Sequence, residues 1–205
     1  FLGGGQVPST SWIPTGVFGY DDKLGIHFDV AKAKELLKKA GYSEAKPLPK
    51  IEIGFNTQED NQRIAENIQA QLKTNLGLNI ELKNQEWKSF LSELKTNAPQ
   101  IYRFGWMGDY PDPDNFMNLM TSYSDNNHTK WKNKEYDTLV EKAAGEGDPG
   151  KRKALYDEAQ KLMIEKDTVV IPLYIGVSQF MIADRVQKYP QNVLQRKIYK
   201  GVILK

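Results

Sequence analysis

Apolar positions along the middle of this chain switch between two periods. Ile51, Ile53 and Phe55 alternate as in a strand, and Asn56 and Thr57 then offer N-caps to a helix that carries Ile64, Ala65, Ile68, Leu72 and Leu76 on one face and stops at Gly77. Leu78, Ile80 and Leu82 alternate again, Trp87, Phe90, Leu91 and Leu94 mark a shorter helix, and Ile101 to Trp106 read as a third strand. Strand, helix, strand, helix, strand at these lengths predicts an α/β fold with a parallel sheet and helical crossovers. Ligands of such sheets sit beyond the carboxyl ends of the strands.

The flanks are patterned differently. Residues 1 to 28 are rich in Gly, Pro, Ser and Thr with dispersed aromatics, an irregular segment that needs a neighbour to lie on. Asp29 can cap a helix with Val30, Ala33, Leu36, Leu37 and Ala40 in helical spacing, stopped by Gly41 and followed by a linker with Pro47 and Pro49. After Pro113 come a short helix (Phe116, Leu119, Met120), a polar loop, a helix with Tyr136, Leu139, Val140 and Ala143, and a further helix opened by Asp148-Pro149. Val169 to Tyr174, broken by Pro172, predicts an edge strand or a bulge. Val177 to Ile182 and Ile198 to Leu204 are further strand candidates.

Candidate chemistry concentrates in Arg103 to Asn118, where a strand breaks into a turn holding Asp109, Asp112 and Asp114 between prolines. Asp109 is suited to receive a ligand ammonium group through a charge-assisted hydrogen bond, and equally to cap the short helix near Asp114. Asp112 and Asp114 read as turn and cap residues. A calcium site fits poorly, because the spacing is not that of an EF-hand and the prolines restrict the loop. Arg103 shares a strand face with Ile101 and Gly105 and needs an anionic partner, either a ligand carboxylate or one of the chain's own. Trp87, Trp106 and Tyr174 can form aromatic walls or core. Glu86 with Asp109 could serve a glycosidase, although no accompanying catalytic motif is present. Asn127-His128-Thr129 fits a glycosylation acceptor.

Composition narrows the function classes. The chain has 205 residues, and 28 basic against 26 acidic side chains leave a net charge of +2 with no basic block, so nucleic acid is not expected as a partner. It has no cysteine, and its two histidines, His27 and His128, are far apart, so neither a disulfide nor a zinc site is expected. No apolar run approaches the roughly 20 residues that cross a bilayer. The chain opens on Phe1-Leu2-Gly3 instead of methionine and without a signal-peptide pattern, as a processed protein or a fragment would.

The run Asn84-Gln85-Glu86-Trp87-Lys88-Ser89-Phe90-Leu91, then Arg103-Phe-Gly-Trp106-Met-Gly-Asp109-Tyr-Pro-Asp-Pro, Asn126-Asn127 and Asn133-Lys-Glu-Tyr136-Asp137 resembles the carboxyl-terminal part of the oligopeptide-binding proteins. These are the family 5 extracellular solute-binding proteins of bacterial ABC importers. The helix Arg152 to Lys166 and the stretch up to Tyr174 continue the resemblance. It implies a periplasmic-binding-protein-like (type II) α/β lobe: residues 1–174 would build the second lobe, and residues 175–205 a tail whose strands return to a first lobe absent from this chain. It also implies a non-enzymatic receptor without cofactor or metal, acting as a monomer in the periplasm or on the outer face of the cytoplasmic membrane, with any lipid anchor in a preceding region. Its partners would be short peptides and an ABC permease.

Position by position, the resemblance implies that Asp109 pairs with the peptide α-amino group. Arg103 meets a peptide carboxylate, Trp87 and Trp106 border the ligand, and Gly105 and Met107 offer backbone groups for strand-like pairing. Asn56 lies at the cleft, and Tyr174 is a further contact. At Leu94 and Lys95 the Arg-His of enteric oligopeptide binders is absent, and Asn61 replaces a histidine. Other members take oligosaccharides or metal chelates; the Asp109 anchor favours peptides.

Overall fold

The computed structural model describes residues 3–43, 45–190, 192 and 196–205. Phe1-Leu2, and Gln191 with residues 193–195 of the expected tail, therefore lie outside the description. The chain folds as two compact units, His27–Gly105 and the segment ending at Ile26 joined with Trp106–Lys205.

Within His27–Gly105, the helix capped by Asp29 is α1 (Val30–Lys39), with the Asp29 carboxylate accepting from Lys32 N at 2.9 Å. β2 (Ile51–Asn56), α2 (Glu59–Leu76), β3 (Ile80–Gln85), α3 (Trp87–Thr96) and β4 (Ile101–Tyr102) follow, after the two-residue β1 (Val7–Pro8) of the other unit. β2 is central and pairs in parallel with both neighbours in the order β3-β2-β4. Ile53, Phe55, Ala65 and Ile80 form the buried centre between this sheet and α2. Gly54 is required by close packing, since a Cβ there would lie 2.6 Å from Pro99 Cγ.

Three expectations are corrected here. The third strand is two residues long instead of six; Arg103 N still donates to Gly54 O of β2 at 2.8 Å. The second strand starts at Ile80, because Gly77 turns left-handed (φ 70°) and Leu78 N closes back on Leu72 O as the helix terminates. Neither Asn56 nor Thr57 caps α2; Gln58 holds that position without a side-chain bond, Thr57 bonds Asn84 across the sheet end, and Asn56 Oδ1 accepts from Asn61 inside α2.

The second unit is mainly helical: α4 (Asp114–Met117) with a 3₁₀ turn (Asn118–Met120), α5 (Lys134–Gly145), α6 (Pro149–Lys161) and a π-turn (Leu162–Lys166). Asn133 caps α5 and Asp148 caps α6 through side-chain acceptors, as Ser/Asp/Asn do at helix starts. Tyr136, Tyr156 and Met163 are fully buried between the helices, and the Tyr136 hydroxyl donates to Met117 O at 2.7 Å. The irregular amino-terminal segment lies on this core. Gln160 Oε1 accepts from Ser11 Oγ (3.0 Å), Trp12 N (3.0 Å) and Ile13 N (3.3 Å), and Ile13 is fully buried. β1 pairs antiparallel with β5 (Tyr174–Ile175), the only ladder formed by the expected strand Val169–Tyr174. No strand forms over Val177–Ile182, whereas β6 (Val186–Lys188) pairs with β7 (Ile203–Leu204). Among the described residues no helix is long and apolar enough to cross a membrane.

Candidate functional site

At the carboxyl end of the sheet, Asn56 stands opposite Gln85, and Thr57 ties the strand ends by donating through N to Gln85 O (2.7 Å) and through Oγ1 to Asn84 Oδ1 (2.5 Å). Asn61, 2% exposed, donates to both Asn56 O and Asn56 Oδ1. The side chain of Asn56 is thereby oriented from beneath, and Asn61 is a support instead of a surface residue at a mouth. Glu86 Oε2 accepts from Lys88 N at 2.8 Å and Ser89 N at 3.4 Å, so its carboxylate is the cap of α3. That assignment removes Glu86 from the glycosidase pair. Trp87, first residue of α3, is 45% exposed and rests near the buried Phe90 with ring centroids 6.3 Å apart. Leu94, which stands where the resemblance places the arginine of enteric binders, is fully buried in this unit.

Arg103 is half-buried with its guanidinium folded back towards Gly105, and among the described residues no carboxylate forms an ion pair with it. The expected structural pair is thus not formed. Beyond Arg103 the strand ladder has ended, and the backbone groups of Gly105 and Met107 carry no hydrogen bond to described residues. Met107 is 76% exposed.

The turn that follows belongs to the other unit and is braced from three sides. Asn115 Oδ1 accepts from Trp106 Nε1 (2.9 Å) and from Asp109 N (3.1 Å). Gly108 between them is buried, and a Cβ there would meet the Phe116 ring at 2.8 Å. Asp112 caps the start of α4 through Oδ1, accepting from Asp114 N at 2.9 Å, and takes a two-pronged ion pair from Arg152 of α6 (2.9 and 2.8 Å). Arg152 also donates through Nε to Ala143 O and lies over the rings of Phe18 and Tyr156. Burial pushes the Asp112 carboxyl up, but the Arg152 guanidinium and the Asp114 N–H outweigh it and hold the group below the usual carboxylate value. Burial raises the Tyr156 phenol to about 12. The Asp114 carboxylate is taken up by the Tyr110 hydroxyl (2.8 Å) and Asn118 Nδ2 (2.7 Å). Asp109, Asp112 and Asp114 therefore point to different partners, and no cluster of three or more His, Cys, Asp or Glu among the described residues could hold a metal.

Asp109 caps nothing: the capping alternative falls to Asp112. Its side chain is 71% exposed and meets only the Arg196 guanidinium, 3.6 Å from Oδ1, while Arg196 also donates to Asp109 O at 2.5 Å. Tyr174 is half-buried, with its backbone engaged by Pro8 in the β1–β5 pair. Asn127 Nδ2 donates to Met120 O, Thr121 O and Trp131 O, which leaves the amide nitrogen of the glycosylation motif no freedom to carry a glycan.

Trp106, Met107, Asp109 and Tyr174 fall in one unit and Asn56, Trp87, Arg103 and Gly105 in the other. Sequence reasoning missed Arg152 and Gln160. Both stand on the stripe of α6 that carries Tyr156 and Ala159, and a polar side chain inside a buried helical stripe is the signal that finds them.

A family model described as bacterial extracellular solute-binding proteins, family 5 middle, matches residues 1–128. The chain is 34% identical over 209 residues to the oligopeptide-binding protein OppA of Bacillus subtilis, covering 98% of this chain and 36% of that protein. It is 32% identical over 197 residues to the periplasmic murein peptide-binding protein MppA of Escherichia coli, covering 93% of this chain and 36% of that one. Among solved structures, Escherichia coli MppA superposes with a TM-score of 0.82 at 30% identity, over 98% of this chain and 40% of its own. Haemophilus influenzae OppA in complex with the peptide RPPGFSPFR gives a TM-score of 0.82 at 28% identity, over 98% and 41%. The chain spans little more than a third of the length of these relatives.

Proposed function

Because the chain belongs to the bacterial extracellular solute-binding proteins of family 5, we propose that it is part of a receptor that captures short peptides outside the cytoplasmic membrane and delivers them to an ABC permease. The observation that carries this reading is Asp109. It is an exposed carboxylate on a braced turn, two residues after Met107 and four after Gly105, whose backbone groups carry no hydrogen bond to described residues. A peptide needs an anion for its ammonium group and a strand edge for its backbone. Asp109 supplies the first, and Gly105 and Met107 the second. Arg103, whose side chain forms no ion pair among the described residues, receives the terminal carboxylate of peptides of suitable length, Trp87 and Trp106 flank the bound chain, and Asn56 and Tyr174 are further contacts. In this reading residues 1–174 form the second lobe, residues 175–205 return to a first lobe, the receptor is monomeric, and any lipid anchor precedes this chain. It has no enzymatic activity.

The test uses the full-length protein. Trialanine is expected to bind, and N-acetyl-trialanine, which lacks the ammonium group, to bind about tenfold to a hundredfold more weakly, the worth of a charge-assisted hydrogen bond. Asp109→Asn should abolish that difference. Equal affinity of the two peptides for the unaltered protein, or release of sugars instead of peptides from the purified receptor in mass spectrometry, sinks the reading. The present chain alone should bind poorly, with Arg196 held against Asp109.

A further inference from the structure

The turn contains one polar side chain that touches both proposed ligand groups of this unit without being exposed to bind anything itself. We infer that Asn115 is a positioning residue, whose side-chain amide fixes the Trp106 indole and the Asp109 backbone relative to each other. The inference rests on the reading of Asp109 as the ammonium anchor and deepens it.

The geometry leaves little freedom. Trp106 Nε1 and Asp109 N are donors with no acceptor capacity, so the Asn115 atom 2.9 Å from one and 3.1 Å from the other has to be the carbonyl oxygen. One half-buried amide thus gathers residues 106 and 109 around a single oxygen. Gly108 permits the arrangement: a Cβ on it would lie 3.5 Å from Asn115 Oδ1 and 2.8 Å from the Phe116 ring. With both N–H groups held by one atom, the distance between aromatic wall and anchoring carboxylate cannot drift, which sets where the first residue of a ligand meets the ring.

The experiment uses full-length protein carrying 5-fluorotryptophan, with the Trp106 fluorine signal assigned through Trp106→Phe, and compares trialanine with N-acetyl-trialanine by calorimetry. In Asn115→Ala the ligand-free Trp106 signal should move, and the preference for the free amino group should fall about tenfold, one hydrogen bond to a charged group's support being lost. Asn115→Asp, which retains the acceptor, should keep the signal near its original position and recover most of the preference. A supporting role in folding alone would weaken both peptides equally, and that result overturns the inference, as does an alanine variant with unchanged signal and preference. Should the alanine variant not fold, proton exchange of the Trp106 indole in the unaltered ligand-free protein decides: slow exchange supports the bond, exchange as fast as that of free indole overturns it. Asp109→Asn separates the two readings. If it leaves the preference intact, the anchor assignment fails, while the fluorine shift still reports on Asn115.

Discussion

Arg152→Met removes the clamp between α6 and the Asp109 turn while leaving an aliphatic stem of similar length. Four bonds vanish, two to the Asp112 carboxylate at 2.9 and 2.8 Å, one to Ala143 O at 3.0 Å and one to the Tyr156 hydroxyl at 3.4 Å. The side chains of Arg152 and Asp112 are 20% and 35% exposed, so the pair lies between a surface bridge, about 0–1 kcal/mol, and a buried one, whose breakage costs about 3–5 kcal/mol. A loss of about 2–3 kcal/mol is expected, or a melting temperature lower by about 4–12 °C for a chain of this size. Trp12, Trp106 and Trp131 all lie in this unit, so tryptophan fluorescence in a Trp87→Phe background follows its unfolding alone. The pH dependence adds an independent check. The Asp112 carboxyl is held below its unfolded value, so its contribution is fully present above the unfolded pKa of about 3.9 and disappears as pH falls through the lower folded value. The gap between variant and parent should therefore be constant from pH 7 to about 5 and narrow below about 4. A variant within about 0.5 kcal/mol of the parent at pH 7 refutes the clamp.

Two further outcomes follow from packing. Gly108→Ala places a methyl group 2.8 Å from the buried Phe116 ring, which should cost about 1–3 kcal/mol in thermal melts and weaken peptide binding; an alanine variant as stable as the parent would show that the turn can yield. Gln160→Met leaves Ser11 Oγ, Trp12 N and Ile13 N without their shared acceptor, and should destabilise the unit by roughly 2 kcal/mol or more and speed amide exchange at Trp12 and Ile13. Unchanged protection there would mean that burial of Ile13 alone holds the segment.

The helices were legible because their signals are local. Asp29 and Asp148 each stand at the expected cap and accept backbone bonds there, and the apolar stripe of α5 is the stripe that is buried. The strands were legible as far as a partner exists. Ile101 to Trp106 has strand composition throughout, yet only Ile101 and Tyr102 find a ladder, since alternation records a tendency to extend and not who pairs with the edge. The same limit applies to Val177–Ile182. At the site, spacing alone left Asp109 level between cap and anchor. In the structure it is Asp112, fixed by Arg152 40 positions away, that accepts from the N–H of Asp114 at the start of α4. Long-range partners of this kind, Gln160 for Ser11 included, leave no local periodic trace.

The Gln160 latch also bears on the order in which the molecule can assemble. Ser11 and Gln160 are 149 positions apart, and closing so long a loop in a flexible chain costs about 4 kcal/mol of entropy. The intervening residues His27–Gly105 form a unit with its own sheet and core, whose contacts are nearer in sequence. Prior folding of that insert shortens the flexible path and lowers the entropic barrier to the latch. On a ribosome the residues around Ser11 emerge well before α6 and must wait for it before they can dock.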